Sequence, residues 1–323
     1  MSGITALRIS LFALVFLTGC AQVATAPSKD PRFRNLIQPV ELRLTIPQSA
    51  LQVDYSPSWK VWTASLAACA TTAAVTGICL MPGAVVNLDA AEVKAATKRL
   101  APLNDAAADI HFDHRAADAL AGALRAEGMA VARTTMLKNS DERAHEAAFF
   151  ASSAGSLMYL EAIYRVTGDF SRLAVRAKTQ VFARATAARR LIKTAESDET
   201  DRLMGTLLAT SNAVYWVDFV YEARLPVPGS NADENAALWA ANEGRLVRAA
   251  ILEGVAQLGR VTAHDFGTRL WAGEKELSET QTLEGTKAWL VEQVDDRRRL
   301  LRLHDGSLLF EVTLDAAPVD VAQ

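Results

Sequence analysis

The chain has 323 residues, half of them hydrophobic, with 34 basic and 37 acidic side chains and a formal charge of −3. That supplies apolar material for one large domain or two modest ones. Near-balanced charge gives no nucleic-acid footprint, which needs a clustered cationic face or a high isoelectric point, and no nucleic-acid partner is expected.

Arg8 is followed by an uncharged run over residues 9–19, too short to cross a bilayer as a stable helix. A charged start, a short apolar core and small closing residues mark residues 1–19 as a secretory signal peptide. The run ends on Leu17-Thr18-Gly19-Cys20, which resembles the lipobox of bacterial lipoproteins: an aliphatic residue, two small ones and cysteine. The resemblance implies cleavage before Cys20, acylation of its thiol and amine, and insertion of the lipid in a bilayer. Ala21 stands where an inner-membrane retention signal has Asp, which implies the outer membrane with the domain facing the periplasm. Buried acyl methylenes contribute about 0.8 kcal/mol each, so a triacylated cysteine holds almost irreversibly. In that oxidising compartment Cys69 and Cys79 read as a disulfide, worth roughly 2–3 kcal/mol for so short a loop.

Residues 20–35 lack periodicity and read as the lipidated N-terminus and its tether. Residues 36–272 read as a periplasmic α/β domain. Leu42, Leu44 and Ile46 alternate with polar residues over 41–46, a strand stopped by Pro47. No charge occurs between Lys60 and Asp89, which sets residues 61–86 apart as an insertion. Trp59, Trp62, Leu66, Val75, Ile78 and Leu80 in and beside it are candidates for an interface with the membrane, a second copy or another envelope protein. Gly77 and Pro82-Gly83 interrupt it, and a packed hairpin is the alternative reading.

Residues 116–127 predict a helix with Ala117, Leu120 and Leu124 on one face and Gly128 as its cap. A short strand over 129–132 and a helix over 141–150 follow. Residues 157–166 and 170–184 predict a β pair turning at Thr167-Gly168-Asp169. Leu173, Val175, Ala177, Thr179 and Val181 share one face of the second strand, so that side is buried and the other wet. On the wet side Arg172, Arg176, Lys178 and Arg184 form a candidate surface for an anionic sugar or lipid. A third strand spans 213–225 and ends at Pro226. Asn231 then caps a helix, with Glu234 three residues on. Trp239, Leu246, Val247, Ile251, Val255 and Leu258 form its apolar stripe. Residues 273–323 hold three short runs, 287–294, 298–304 and 307–314, with Asp305-Gly306 as a tight turn. They predict a small β-meander, either appended to the main sheet or extending it.

Catalytic signatures are few. His111 and His114 flank Asp113 at helical spacing, yet a zinc site needs three or four ligands. Ser152 and Ser156 sit in no nucleophile elbow, and glycine-rich phosphate loops are missing. No catalytic residue, metal or cofactor is expected. The fold class is α/β, an α+β sandwich whose mixed, mostly antiparallel sheet carries helices mainly on one face. Over residues 36–266 this element order resembles the periplasmic domains of outer-membrane lipoproteins of envelope assembly, including the curli secretion-channel family. The resemblance carries no residue roles. It implies a non-enzymatic outer-membrane lipoprotein, an accessory or structural component of envelope assembly or secretion. One alternative is a lipid- or glycan-binding lipoprotein with a pocket lined by Trp216, Phe219 and Tyr221. Another is an envelope-polymer hydrolase, which requires carboxylates or His111 and His114 converging in a cleft with shifted pKa values.

Overall fold

The β pair expected over residues 157–166 and 170–184 forms as a hairpin, antiparallel from Ser156↔Ala183 to Val166↔Leu173. The Asp169 carboxylate closes the turn, accepting hydrogen bonds from the Ser171 backbone N–H and from the hydroxyls of Thr167 and Ser171. The computed structural model that shows this describes residues 31–55, 78–79, 90–137, 147, 149–185, 213–267, 275–276 and 288–315.

In chain order the first half comprises α1 (Pro31–Ile37), β1 (Val40–Thr45), β2 (Gln52–Asp54), β3 (Ile78–Cys79), α2 (Ala90–Ala107), α3 (Phe112–Ala126) and β4 (Val131–Leu137). Then come β5 (Ser156–Thr167), β6 (Arg172–Ala183), β7 (Tyr215–Arg224) and the long α4 (Ala232–Phe266). The chain ends in β8 (Lys275–Glu276), β9 (Ala288–Gln293), β10 (Arg298–Leu303) and β11 (Leu308–Thr313). The described strands form one eleven-stranded mixed sheet. Its longest ladders, β5–β6 and β6–β7, are antiparallel. Parallel pairs join β11 to β7 and β1 to both β4 and β5. The C-terminal meander therefore extends the main sheet, with β11 as the seam.

One face of this sheet carries the helices. α4 lies across β6 and β7, and α2 and α3 pack on α4. It lies close to the sheet at Gly254, where a Cβ would stand 2.6 Å from Val175 Cγ2 and 2.8 Å from Tyr221 Cδ1. Leu42, Leu160, Val175, Phe219, Tyr221, Phe310, Trp239 and Leu258 are all buried between sheet and helices. The Asn231 side chain caps α4 by accepting from the Glu234 N–H at 3.0 Å.

Five expectations change. The tether is shorter, because Pro31 opens α1 and Phe33 and Ile37, four residues apart, bury one helix face. α2 has no counterpart among the elements expected from sequence; Ala96, Leu100 and Leu103 bury its inner side at helical spacing. The strand expected at 129–132 runs from Val131 to Leu137 because β1 supplies a parallel partner along its length. The α4 stripe is broken where Asn242, Glu243 and Gly244 adopt left-handed dihedrals (φ 53°, 57° and 70°). There α2 comes so close that a Gly244 Cβ would meet the Ala106 Cβ at 2.3 Å. Finally the polar side of β1 is not wet: Glu41 and Arg43 are buried and pair at 2.9 Å. Most of the 61–86 insertion, the 1–19 signal peptide and nearly all of the helix expected at 141–150 lie outside the described residues.

Candidate functional site: the polar face of the sheet

Strand register assembles a two-row array on the face opposite α4. Tyr159 of β5, Gln180 of β6 and Trp216 of β7 lie side by side. Two residues along, Glu161, Lys178 and Asp218 form the next row in the same strand order. Side chains two apart on a strand share a face, and cross-strand neighbours stand about 4.5–5.5 Å apart at Cβ. Tyr159, Glu161, Lys178, Trp216 and Asp218 are half-buried, whereas Gln180 is buried. The Lys178 ammonium lies 5.9 Å from the Trp216 ring centroid.

The electrostatics of the second row are unusual. Burial raises the Glu161 carboxyl above its ordinary value, against the pull of Lys178. Burial likewise pushes Asp218 up to about 6; Lys178 and Arg176 oppose the shift and Asp305 adds to it. Among the described residues neither carboxylate has a hydrogen bond or ion pair. The indole Nε1 of Trp216 is also buried without a hydrogen-bond partner. Half-buried carboxyls that keep raised pKa values without a partner are a signature of functional surfaces.

Asp218 makes this measurable. Its pKa is near 3.8 when unfolded and about 6 when folded, so the native state holds the proton more tightly. Its favourable contribution is complete below pH 4 and is lost as pH rises through 6. Asp218→Asn is expected to stabilise the protein by about 1–3 kcal/mol at pH 7.5 and by almost nothing at pH 3.5. Urea unfolding at the two pH values checks this, and equal midpoint shifts at both would contradict it.

The four basic residues expected on this face have separate fates. Arg172 bonds Glu222 at 3.3 Å, opening a charge ladder that runs through Arg224 and Glu311 to Arg299 across four strands. Arg176 is drawn into the sheet, and burial lowers its pKa to about 10 despite Asp54 and Glu222. Arg184 leaves the face altogether: its guanidinium stacks 4.6 Å from the Phe149 ring centroid and donates to the carbonyls of Phe149, Ser152 and Ala154. Lys178 alone takes its place in the array. Glu161, Asp218 and Tyr159 went unassigned in the sequence and Trp216 was placed in a pocket; alternation marks them as one-faced, but only register shows that they meet.

The pocket expected beneath Trp216, Phe219 and Tyr221 is filled core. Neighbouring strand positions point to opposite faces, so Phe219 and Tyr221 pack under α4 while Trp216 lies on the polar side. A cleft of about 640 Å³ opens elsewhere, between residues 46–51 and the α2–α3 turn. Gln48 builds its wall: the side-chain amide donates to the Tyr164 carbonyl at 2.6 Å and accepts from the Tyr164 N–H at 3.2 Å. The amide thereby replaces the strand partner that β5 lacks between β1 and β2. Asn104 holds the other side through the Leu51 N–H at 2.8 Å. Phe112 stacks on Tyr164, with ring centroids 4.3 Å apart.

His111 and Asp113 border this cleft. His114 is exposed, its ring 6.4 Å from that of His111. Among the described residues no group of three or more His, Cys, Asp or Glu side chains is arranged to hold a metal ion. Cys20, Cys69, Trp59, Trp62, Leu66, Val75 and Leu80 lie outside the described residues. Ile78 and Cys79 are described as β3, which pairs parallel with β2. No described helix is long and apolar enough to cross a membrane. Comparison with protein-family models and with curated proteins gives no match to the chain.

Proposed function

We propose that the protein is a non-enzymatic lipoprotein of the bacterial outer membrane, facing the periplasm as an accessory or structural component of envelope assembly or secretion. The observation that carries this reading is Leu17-Thr18-Gly19-Cys20 at the close of a short apolar run. Cys20 and Pro31 are eleven residues apart, and an extended chain of that length reaches at most about 40 Å. A domain starting at Pro31 would therefore work close to the bilayer surface. Phe33 and Ile37 bury α1 in the core, so a pull on the anchor passes directly into the fold. The test is metabolic labelling with a palmitate analogue. The native chain is expected to take the label and Cys20→Ala to lose it entirely, with unfolding of the domain unchanged. Equal labelling of both, or of neither, would overturn the reading.

A second reading, a ligand-binding lipoprotein, is favoured by the Glu161–Lys178–Asp218 row. Glu161 and Asp218 stay half-buried without a hydrogen bond among the described residues, which destabilises a fold, and retention at such a cost favours a role in binding.

A further inference from the structure

We propose that the end of the domain around α1 docks on an anionic bilayer surface, where Arg34, Arg125, Arg133 and Arg184 meet the phosphates of acidic phospholipid. The inference deepens the lipoprotein reading and rests on it.

Placement is the first argument. α1 opens at Pro31, eleven residues after Cys20, so a lipid on Cys20 keeps this end within about 40 Å of the membrane. Arg34 of α1 donates to the Glu127 carbonyl, two residues beyond Arg125 at the close of α3. The chain then enters β4, where Arg133 stands beside Glu41 of β1 in the ladder. On the other side of β1, the Pro39 carbonyl accepts from the Gly155 N–H, and the Gly155 carbonyl accepts from the Arg184 N–H. Four arginines from separate elements therefore gather at one end of the sheet. β5 has 12 residues, so the turn that follows it lies about 36 Å away.

Charge is the second. Arg125 and Arg133 are exposed and have no ion pair among the described residues. Among those residues the hydrogen bonds of the Arg34 and Arg184 guanidinium groups go to backbone carbonyls, which orient the cation and leave its charge unbalanced. Elsewhere arginines face carboxylates, as Arg99 does Asp233 and Arg298 does Glu253. Of the carboxylates at this end, Glu41 pairs with Arg43 at 2.9 Å and Glu127 faces the His264 ring at 3.2 Å. Guanidinium matches phosphate geometry with two parallel N–H donors.

Selectivity is the third. The whole chain has 37 acidic against 34 basic side chains, so an anionic surface attracts this end and repels the remainder. The anchor supplies affinity, and the arginines set which way the domain faces.

The experiment uses the native chain carrying the palmitate label, reconstituted in two kinds of vesicle. One is phosphatidylcholine alone; the other includes about one quarter phosphatidylglycerol, an anionic surface that attracts basic residues. Amide hydrogen exchange is read by mass spectrometry over residues 31–37 and 128–133, with residues 167–171 as the remote control. The anionic vesicles are expected to slow exchange in the first two segments by at least about threefold and to leave the control unchanged. High salt should abolish the difference, because it screens the attraction. Arg125→Gln combined with Arg133→Gln should do the same, since each basic residue near such a surface is worth about fivefold in binding. An acylated chain with equal exchange in both vesicles, or a difference that survives salt or the double variant, would overturn the docking and leave the anchor standing. A chain that takes no label would overturn the anchor reading, and the docking with it.

Discussion

Asp265→Ala is expected to cost about 3–5 kcal/mol of stability. Asp265 lies in the last turn of α4, 4% exposed. One carboxylate oxygen accepts from the Tyr215 hydroxyl at 2.8 Å and the other from the Arg302 guanidinium at 2.8 Å. The carboxylate thus ties the end of α4 to the first residue of β7 and to β10. Burial, and then the adjacent carboxylate, raise the Tyr215 phenol well above its ordinary value. Removing the acid leaves a buried hydroxyl and a largely buried guanidinium without that partner, which is why the cost exceeds that of a surface pair. Asp265→Asn keeps the shape and loses the charge, and should fall between wild type and alanine. Urea unfolding followed by near-ultraviolet dichroism reads both variants. A loss below about 1 kcal/mol for alanine would show that the triad is not a strut.

The second large effect is steric. α3 and α4 cross so closely at Gly259 that a Cβ there would stand 2.7 Å from the backbone carbon and oxygen of Ala119. Backbone cannot swing aside as a side chain does, so the two helices would have to part. Gly259→Val is expected to cost at least about 3 kcal/mol, at or above the upper end for overpacking. The control lies on α3, at exposed Gly122, where a Cβ would have nothing within 4 Å. Gly122→Ala should stabilise by about 0.5–1 kcal/mol, through helix propensity alone. Opposite signs for the two substitutions are the expected result of thermal unfolding. A Gly259→Val variant as stable as wild type would contradict the crossing.

Much of the sheet can be read from local pattern. β5 and β6 alternate over many residues with Gly168-Asp169 between them, and Asp305-Gly306 sits between β10 and β11. Asn231 is equally clear, since cap and first turn are encoded within four residues. Where short-range pattern is diluted, the reading fails. Alanines dominate α2, and Pro102 interrupts its signal, so its few large apolar residues do not stand out. α1 is seven residues with a proline and two arginines, which looks like linker until Phe33 and Ile37 find the core.

The candidate site fails to announce itself for a different reason. Arg172, Arg176, Lys178 and Arg184 share a segment, and proximity in sequence suggested a common surface. Their partners come from elsewhere: Glu222 from β7, the carbonyls of Phe149 and Ser152 from the loop before β5. Glu161 and Asp218 reach Lys178 from strands on either side, a meeting that depends on two registers at once. A one-residue slip in either strand would send that carboxylate to the opposite face.

If lipid holds the domain at the outer membrane, mass spectrometry of the N-terminal peptide from the membrane fraction will show it. The expected product begins at Cys20 and carries a diacylglyceryl thioether and an amide-linked acyl chain. A chain that keeps Met1, or one cut elsewhere with an unmodified Cys20, would contradict it.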